Sequence, residues 1–161
     1  MRSDSRINSW ISLGANVAVL LGLIFVGLEV RNSRAAAEAQ AADGIADGFL
    51  QLNLISIGDS AAARIWDTGL REPASLTDVE AFQFSMHMRA LFNQFTRVHR
   101  LYRAGLIDEA DWELYGREAA TLMASPGGVI YFAGNDLPAD FKRDVFRYEG
   151  MSSNIDLRLG R

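Results

Sequence analysis

The chain of 161 residues has no cysteine, three prolines and a single lysine. Without cysteine there are no disulfides, thiolate metal sites, iron–sulfur clusters or thiol nucleophiles. The redox compartment stays open, because a cysteine-free protein is at home in either. Proline occurs only at Pro73, Pro126 and Pro138, so none interrupts Asn32 to Ile57. Positive charge is also scarce. The net charge is −4, and the basic residues other than Lys142 are all arginine. No single cluster accounts for the arginines, which read as codon bias. Residues 1–34 carry +2 and residues 35–161 carry −6. An acidic domain argues against general nucleic-acid binding, which needs surplus positive charge.

The feature that is present in excess is one apolar run. Trp10 to Leu28 reads WISLGANVAVLLGLIFVGL, nineteen residues without a charge. As a helix it is about 28 Å long, close to the hydrocarbon thickness of a bilayer. Its apolar groups lie all round the axis, which disfavours the core helix of a soluble protein. A secretory signal peptide has a basic start and a small-residue cleavage site. Arg2 and Arg6 fit the start and Ala35 to Ala37 the site, but the run is too long and Glu29, Arg31 and Arg34 intrude. The expectation is a membrane span over residues 10–30.

Within that span Gly14, Ala18 and Gly22 recur every four residues. Such a stripe lets two helix backbones approach closely in lipid. Ser9, Ser12, Asn16 and Gly27 fall on another face, about 160° away. An asparagine in hydrocarbon needs a hydrogen-bond partner. Two special faces suit a helix with neighbours on both sides, in a ring or a larger membrane complex. Gly and Ala are also common in any span, and the stripe reads equally as ordinary membrane composition. Trp10 marks one expected membrane boundary, and Arg31 with Arg34 the other. Basic residues flank both ends, so the positive-inside rule decides little.

The remainder reads as helices with short connections. The alanines from Ala35 to Ala42 favour continuing the first helix as a stalk. Ile45, Phe49, Leu52 and Ile55 then make a core-facing stripe. Gly44 and Gly48 permit a bend or a close crossing. Ser60 to Thr68 is a short helix with Gly69 as its stop. Thr77 to Glu80 is a capping-box pattern opening the longest soluble helix, which Gly105 ends. Its apolar stripe is Phe84, Met88, Leu91, Phe95, Val98 and Tyr102, widened by Phe82 and Phe92. Asp108 starts a helix over Glu109 to Ala124, with Trp112, Tyr115, Ala119 and Leu122 inward. Ser125-Pro126 starts a short one over Gly127 to Phe132. Pro138 opens a last helix with Phe141 and Val145 inward. No strand pattern longer than a few residues and no sequence repeat is present. The predicted fold is all-α: a short tail over 1–9, a transmembrane helix over 10–30, an antiparallel bundle over 31–150 and a flexible tail over 151–161.

Candidate chemistry is thin. His87 and His99 lie in one helix, about 120° apart around the axis and about 18 Å along it, too far to share a metal. They read as partly buried or surface side chains. Asp108, Glu109, Asp111 and Glu113 lack the glycine and spacing of a calcium loop and suit the first turn of a helix. Arg89, Arg97, Arg100 and Arg103 share a face that reads as solvated and paired with acidic neighbours. The alternative for that face is contact with anionic headgroups or a phosphate-bearing ligand. Ser125 to Gly128 lacks the lysine of a phosphate loop, and Gly-x-Ser-x-Gly is absent. No catalytic, cofactor-binding or metal-ligating residue is identified, and no cofactor is implied.

Four stretches, LEVRNSRAAAEAQA, AARIWDTGL, LFNQFTRVHRLYRAGLIDEADWELY and SPGGVIYF, cover much of the chain. Together they resemble a loose set of uncharacterised bacterial single-span membrane proteins with a small C-terminal helical domain. The resemblance implies that architecture and places the domain in the cytoplasm. The expected function is assembly in the bacterial inner membrane, with partners among membrane lipids, copies of itself or other membrane proteins, and no nucleic acid. Gly14, Ala18, Gly22 and Asn16 would carry the membrane contacts. The alternative is an accessory subunit of a larger respiratory or photosynthetic complex. An enzyme would need a concave pocket with converging polar groups.

Overall fold

The computed structural model describes residues 4–148, with side chains from Gly14 onward except that of Ser56. The tail expected over 151–161 and the Trp10 side chain lie outside the described residues. Every regular element among the described residues is helical, and the fold is all-α. The α-helices are α1 (Asp4–Gly58), α2 (Ser60–Arg71), α3 (Asp78–Arg103), α4 (Glu109–Ala124), α5 (Pro126–Gly134) and α6 (Ala139–Val145). Single 3-10 turns occupy Pro73–Ser75 and Phe146–Tyr148. Helix α1 contributes to two compact units, one up to Gln40 and one from Ala41 onward.

In the first unit, every residue from Gly14 to Ala36 is exposed. The apolar stretch of α1 is long and apolar enough to cross a membrane.

The second unit is a helical bundle built on α3. Helix α3 packs against α2, α4 and α5, and α4 packs against α5 and α6. The expected stripe of α3 forms the core, with Phe84, Met88, Leu91, Phe95 and Val98 buried. Phe92 is buried too, and its ring meets those of Phe95, Phe132 and Phe141 at 5.5, 4.6 and 6.4 Å. Edge-on aromatic contacts of this kind favour the ring quadrupoles. Phe141 and Val145 of α6 are buried, as are Trp112, Ala119 and Ala120 of α4. Ile45 of α1 joins this cluster, and Phe49 stacks on Tyr115 with ring centroids 5.1 Å apart.

Local chemistry fixes the helix ends. The Thr77 hydroxyl accepts from the Glu80 N–H at 3.4 Å, and the Glu80 carboxylate accepts from the Thr77 N–H at 2.9 Å. This reciprocal pair satisfies two donors that the first turn of α3 leaves open. Asp59, Asp108 and Ser125 cap α2, α4 and α5 through their side-chain oxygens. Gly105 ends α3 with a φ of 70°, a left-handed turn that glycine adopts without a Cβ clash. The Leu106 N–H reaches the Leu101 carbonyl at 3.0 Å and closes the helix end.

The structure differs from the sequence expectations at Gly69, Phe82 and Ile55. Gly69 does not stop α2, which runs on to Arg71 with Gly69 buried inside it. A Cβ on Gly127 would lie 2.0 Å from the Gly69 carbonyl oxygen, so α2 and α5 meet backbone to backbone there. Phe82 is 64% exposed instead of widening the core stripe. It sits about 160° around α3 from Phe84, outside the buried arc. Ile55 is exposed as well, so the packed face of α1 ends near Leu52.

Candidate functional site

The membrane-packing residues expected from sequence all lie in the first unit. Gly14, Asn16, Ala18 and Gly22 are exposed, and a Cβ at Gly14 or Gly22 would meet nothing within 4 Å. Helical geometry puts Gly14, Ala18 and Gly22 on one face and Asn16 nearly opposite. Around them Leu20, Leu21, Leu23, Ile24 and Phe25 are exposed, Phe25 by 69%. Burying each such side chain is worth about 1.5–3 kcal/mol, so a helix like this is unfavourable in water and stable in lipid or against another helix. Arg31 and Arg34 are exposed, and the Arg34 Nε donates to Glu38 at 2.9 Å, an exposed pair one turn apart.

In the second unit, a buried polar pair joins α3 to α6. His99 is 2% exposed and Asp144 4%. The His99 Nε2 lies 3.0 Å from an Asp144 carboxylate oxygen. Trp112 and Phe141 border the imidazole at 4.9 and 5.6 Å. Burial pushes the Asp144 pKa up, but the hydrogen bond from His99 and the charges of Arg147, His99 and Arg143 outweigh it and hold the carboxyl below its ordinary value. The pair reads as a core lock, because the two groups are bonded to each other and the imidazole is walled in by aromatic rings. The sequence pattern alone reads His99 as a partly buried or surface residue, and the structure buries it. Its position four residues after Phe95, on the apolar arc, is the one local sign of burial.

A second polar contact ties α1 to α3 within the same unit. The Gln94 side chain donates to the Ile45 carbonyl at 3.2 Å, and the Arg97 guanidinium donates to the Gly44 carbonyl at 3.0 Å. Gly48 and Gly44 leave the room for these side chains. A Cβ on Gly48 would lie 2.2 Å from Gln94 Nε2, and one on Gly44 would lie 2.5 Å from Arg97 Nη2. So Gly44 and Gly48 make room for two side chains of α3, and Arg97 donates to a backbone carbonyl and not to an acidic side chain.

The bundle also contains hollows. One of about 480 Å³ lies among the end of α1, α2 and α3, lined by Leu52, Ile55, Ile65, Trp66, Phe82, Phe84 and His87 among others. Another of about 380 Å³ lies beside it and shares Leu52, Trp66 and His87 as lining. His87 is half-buried, with its ring 4.6 Å from that of Trp66, and desolvation lowers its pKa, so it is neutral near pH 7. No sequence motif marked this place, because its wall is assembled from three separate elements.

Among the described residues, no group of three or more His, Asp or Glu side chains is placed to hold a metal ion. No family model matches the chain, and no curated protein and no solved structure matches it significantly.

Proposed function

We propose that the protein is a single-span membrane protein that acts by assembly. Its apolar helix packs laterally in the bilayer and its helical bundle presents a face to copies of itself or to another membrane protein. The observation that carries this reading is the stretch Gly14 to Leu28, which has no charged residue and no covered side chain. The location that goes with it is the bacterial inner membrane, with the bundle on the cytoplasmic side, as the resemblance to single-span bacterial proteins implies. In this reading Gly14, Ala18, Gly22 and Asn16 make the membrane contacts, and Trp10, Arg31 and Arg34 mark the boundaries of the span.

The test begins with membranes washed in alkaline carbonate, which strips peripheral proteins. The protein stays in the pellet. Native mass spectrometry in detergent then gives a defined oligomer for the wild type and a smaller assembly for Gly14→Leu with Gly22→Leu. An unchanged mass counts against the small-residue face.

Asn16 favours a second reading, an accessory subunit of a larger respiratory or photosynthetic complex. Its exposed amide has no hydrogen-bond partner among the described residues, and a neighbouring foreign span would supply one. Purified alone, an accessory subunit is a monomer that aggregates, and copurified foreign subunits identify its complex.

A further inference from the structure

The hollow of about 480 Å³ falls within the range of about 300–1,000 Å³ typical of small-molecule sites. Its walls are mostly apolar, with Leu52, Ile65, Trp66, Phe82 and Phe84 contributing. No lysine or arginine is among its lining residues. The one carboxylate there, Asp59, already caps α2 by accepting from the Ala61 N–H at 2.8 Å. A phosphate or carboxylate would therefore enter without a countercharge and beside a negative group.

Among the lining side chains with no hydrogen-bond partner among the described residues, the Gln83 amide is exposed, and the indole N–H of Trp66 and the imidazole of His87 are the two half-buried groups. Neither is sealed from solvent, since among the described residues no fully buried side-chain nitrogen or oxygen lacks a partner. An indole N–H only donates, and a neutral imidazole donates from one nitrogen and accepts at the other. A ligand that satisfies both carries an oxygen acceptor.

We propose that this hollow binds a neutral, largely apolar small molecule bearing a carbonyl or hydroxyl oxygen, which hydrogen-bonds to Trp66 and His87 while its apolar body lies against Leu52, Ile65 and Phe84. Phe82, 64% exposed, belongs to the same wall. The inference is independent of how the apolar helix assembles, because every lining residue belongs to the second unit.

The test uses the full chain in lipid nanodiscs, with isotope-labelled histidine observed by NMR. The chain has two histidines, and His87→Gln assigns their signals. The probes are naphthol, which is neutral, and naphthoate, which has the same ring system and a negative charge. Naphthol shifts the His87 signals saturably, leaves the His99 signals in place, and binds with at least tenfold preference over naphthoate. Trp66→Phe keeps a ring and removes the N–H, and it weakens naphthol binding about five- to tenfold. Ala61→Trp, at an exposed position of the lining, fills the opening and abolishes the shift while the His99 signals report an intact core. Naphthol that leaves His87 unmoved overturns the proposal. So does equal binding of naphthoate, or an unchanged affinity in both variants.

Discussion

The His99 imidazole and the Asp144 carboxylate meet at 3.0 Å across the interface of α3 and α6, and both are almost wholly withdrawn from water. Arg147, at 3.3 Å from the other Asp144 oxygen, adds a partially exposed charge to the pair. Removing one member strands the other, and an unsatisfied buried polar group costs about 1–3 kcal/mol, more when charged. Asp144→Ala therefore lowers stability by about 2–3 kcal/mol, read by thermal unfolding of the full chain in detergent. The pH dependence has a definite sign. The folded carboxyl is held below its ordinary pKa, so the stabilisation is complete above about pH 5 and is lost as acid protonates Asp144. The wild type loses stability more steeply than Asp144→Ala below about pH 4. Parallel acid profiles count against the lock.

The Gly69–Gly127 contact makes a sharper prediction. At Gly127 an added Cβ meets a backbone oxygen at 2.0 Å, which cannot swing aside as a side-chain tip can. Gly127→Ala pushes α2 and α5 apart and costs about 2–3 kcal/mol, within the range for overpacking. Gly134, in the same helix, has open space around it. Gly134→Ala is neutral or stabilising by a few tenths of a kcal/mol, because alanine is the better helix former. Equal effects of the two, measured as melting temperatures, contradict the close crossing.

The amide of Gln94 ties α3 to α1. Gly48→Ala displaces that amide from the Ile45 carbonyl and leaves it unsatisfied in a buried place, which outweighs the gain in helix propensity. The net loss is about 1 kcal/mol. Adding Gln94→Ala removes the stranded group and restores most of the stability. A double-mutant cycle checks this, and strict additivity excludes it.

Glu80 is the residue most shifted by its hydrogen bonds. The Arg64 side chain, then the Thr77 backbone and hydroxyl, lower its pKa from 4.5 to about 2. Its contribution is present above the ordinary carboxyl pKa and is lost as pH falls towards about 2. Arg64→Ala moves the titration of Glu80, followed by NMR, back towards 4.5. A titration that stays near 2 in this variant assigns the shift to the capping box alone.

Local signals made some elements readable from residues alone. Asp108 before an acidic first turn and Ser125-Pro126 after Ala124 bracket α4, and the helix occupies Glu109–Ala124 as expected. The capping box at Thr77 and the left-handed Gly105 likewise bracket α3. What escaped depends on partners far along the chain. Gly69 reads locally as a stop, and its role inside α2 is set by Gly127. His99 lies on an apolar arc that advertises burial, but nothing near it names Asp144, whose helix is entered 40 residues later. Gln94 and Arg97 show polarity in sequence, and only the fold reveals that their acceptors are the carbonyls of Ile45 and Gly44. The Trp66–His87 hollow escaped for the same reason, since periodicity describes one helix at a time.

The absence of cysteine makes the central claim directly measurable, because a single introduced thiol has no competitor. A nitroxide attached at Leu21→Cys, in native-like membranes, is read by electron paramagnetic resonance against dissolved oxygen and a water-soluble nickel chelate. Lipid around the first apolar helix gives high oxygen and low nickel accessibility there, with the reverse at Ala42→Cys in the second unit. Strong nickel accessibility at Leu21→Cys contradicts a membrane span.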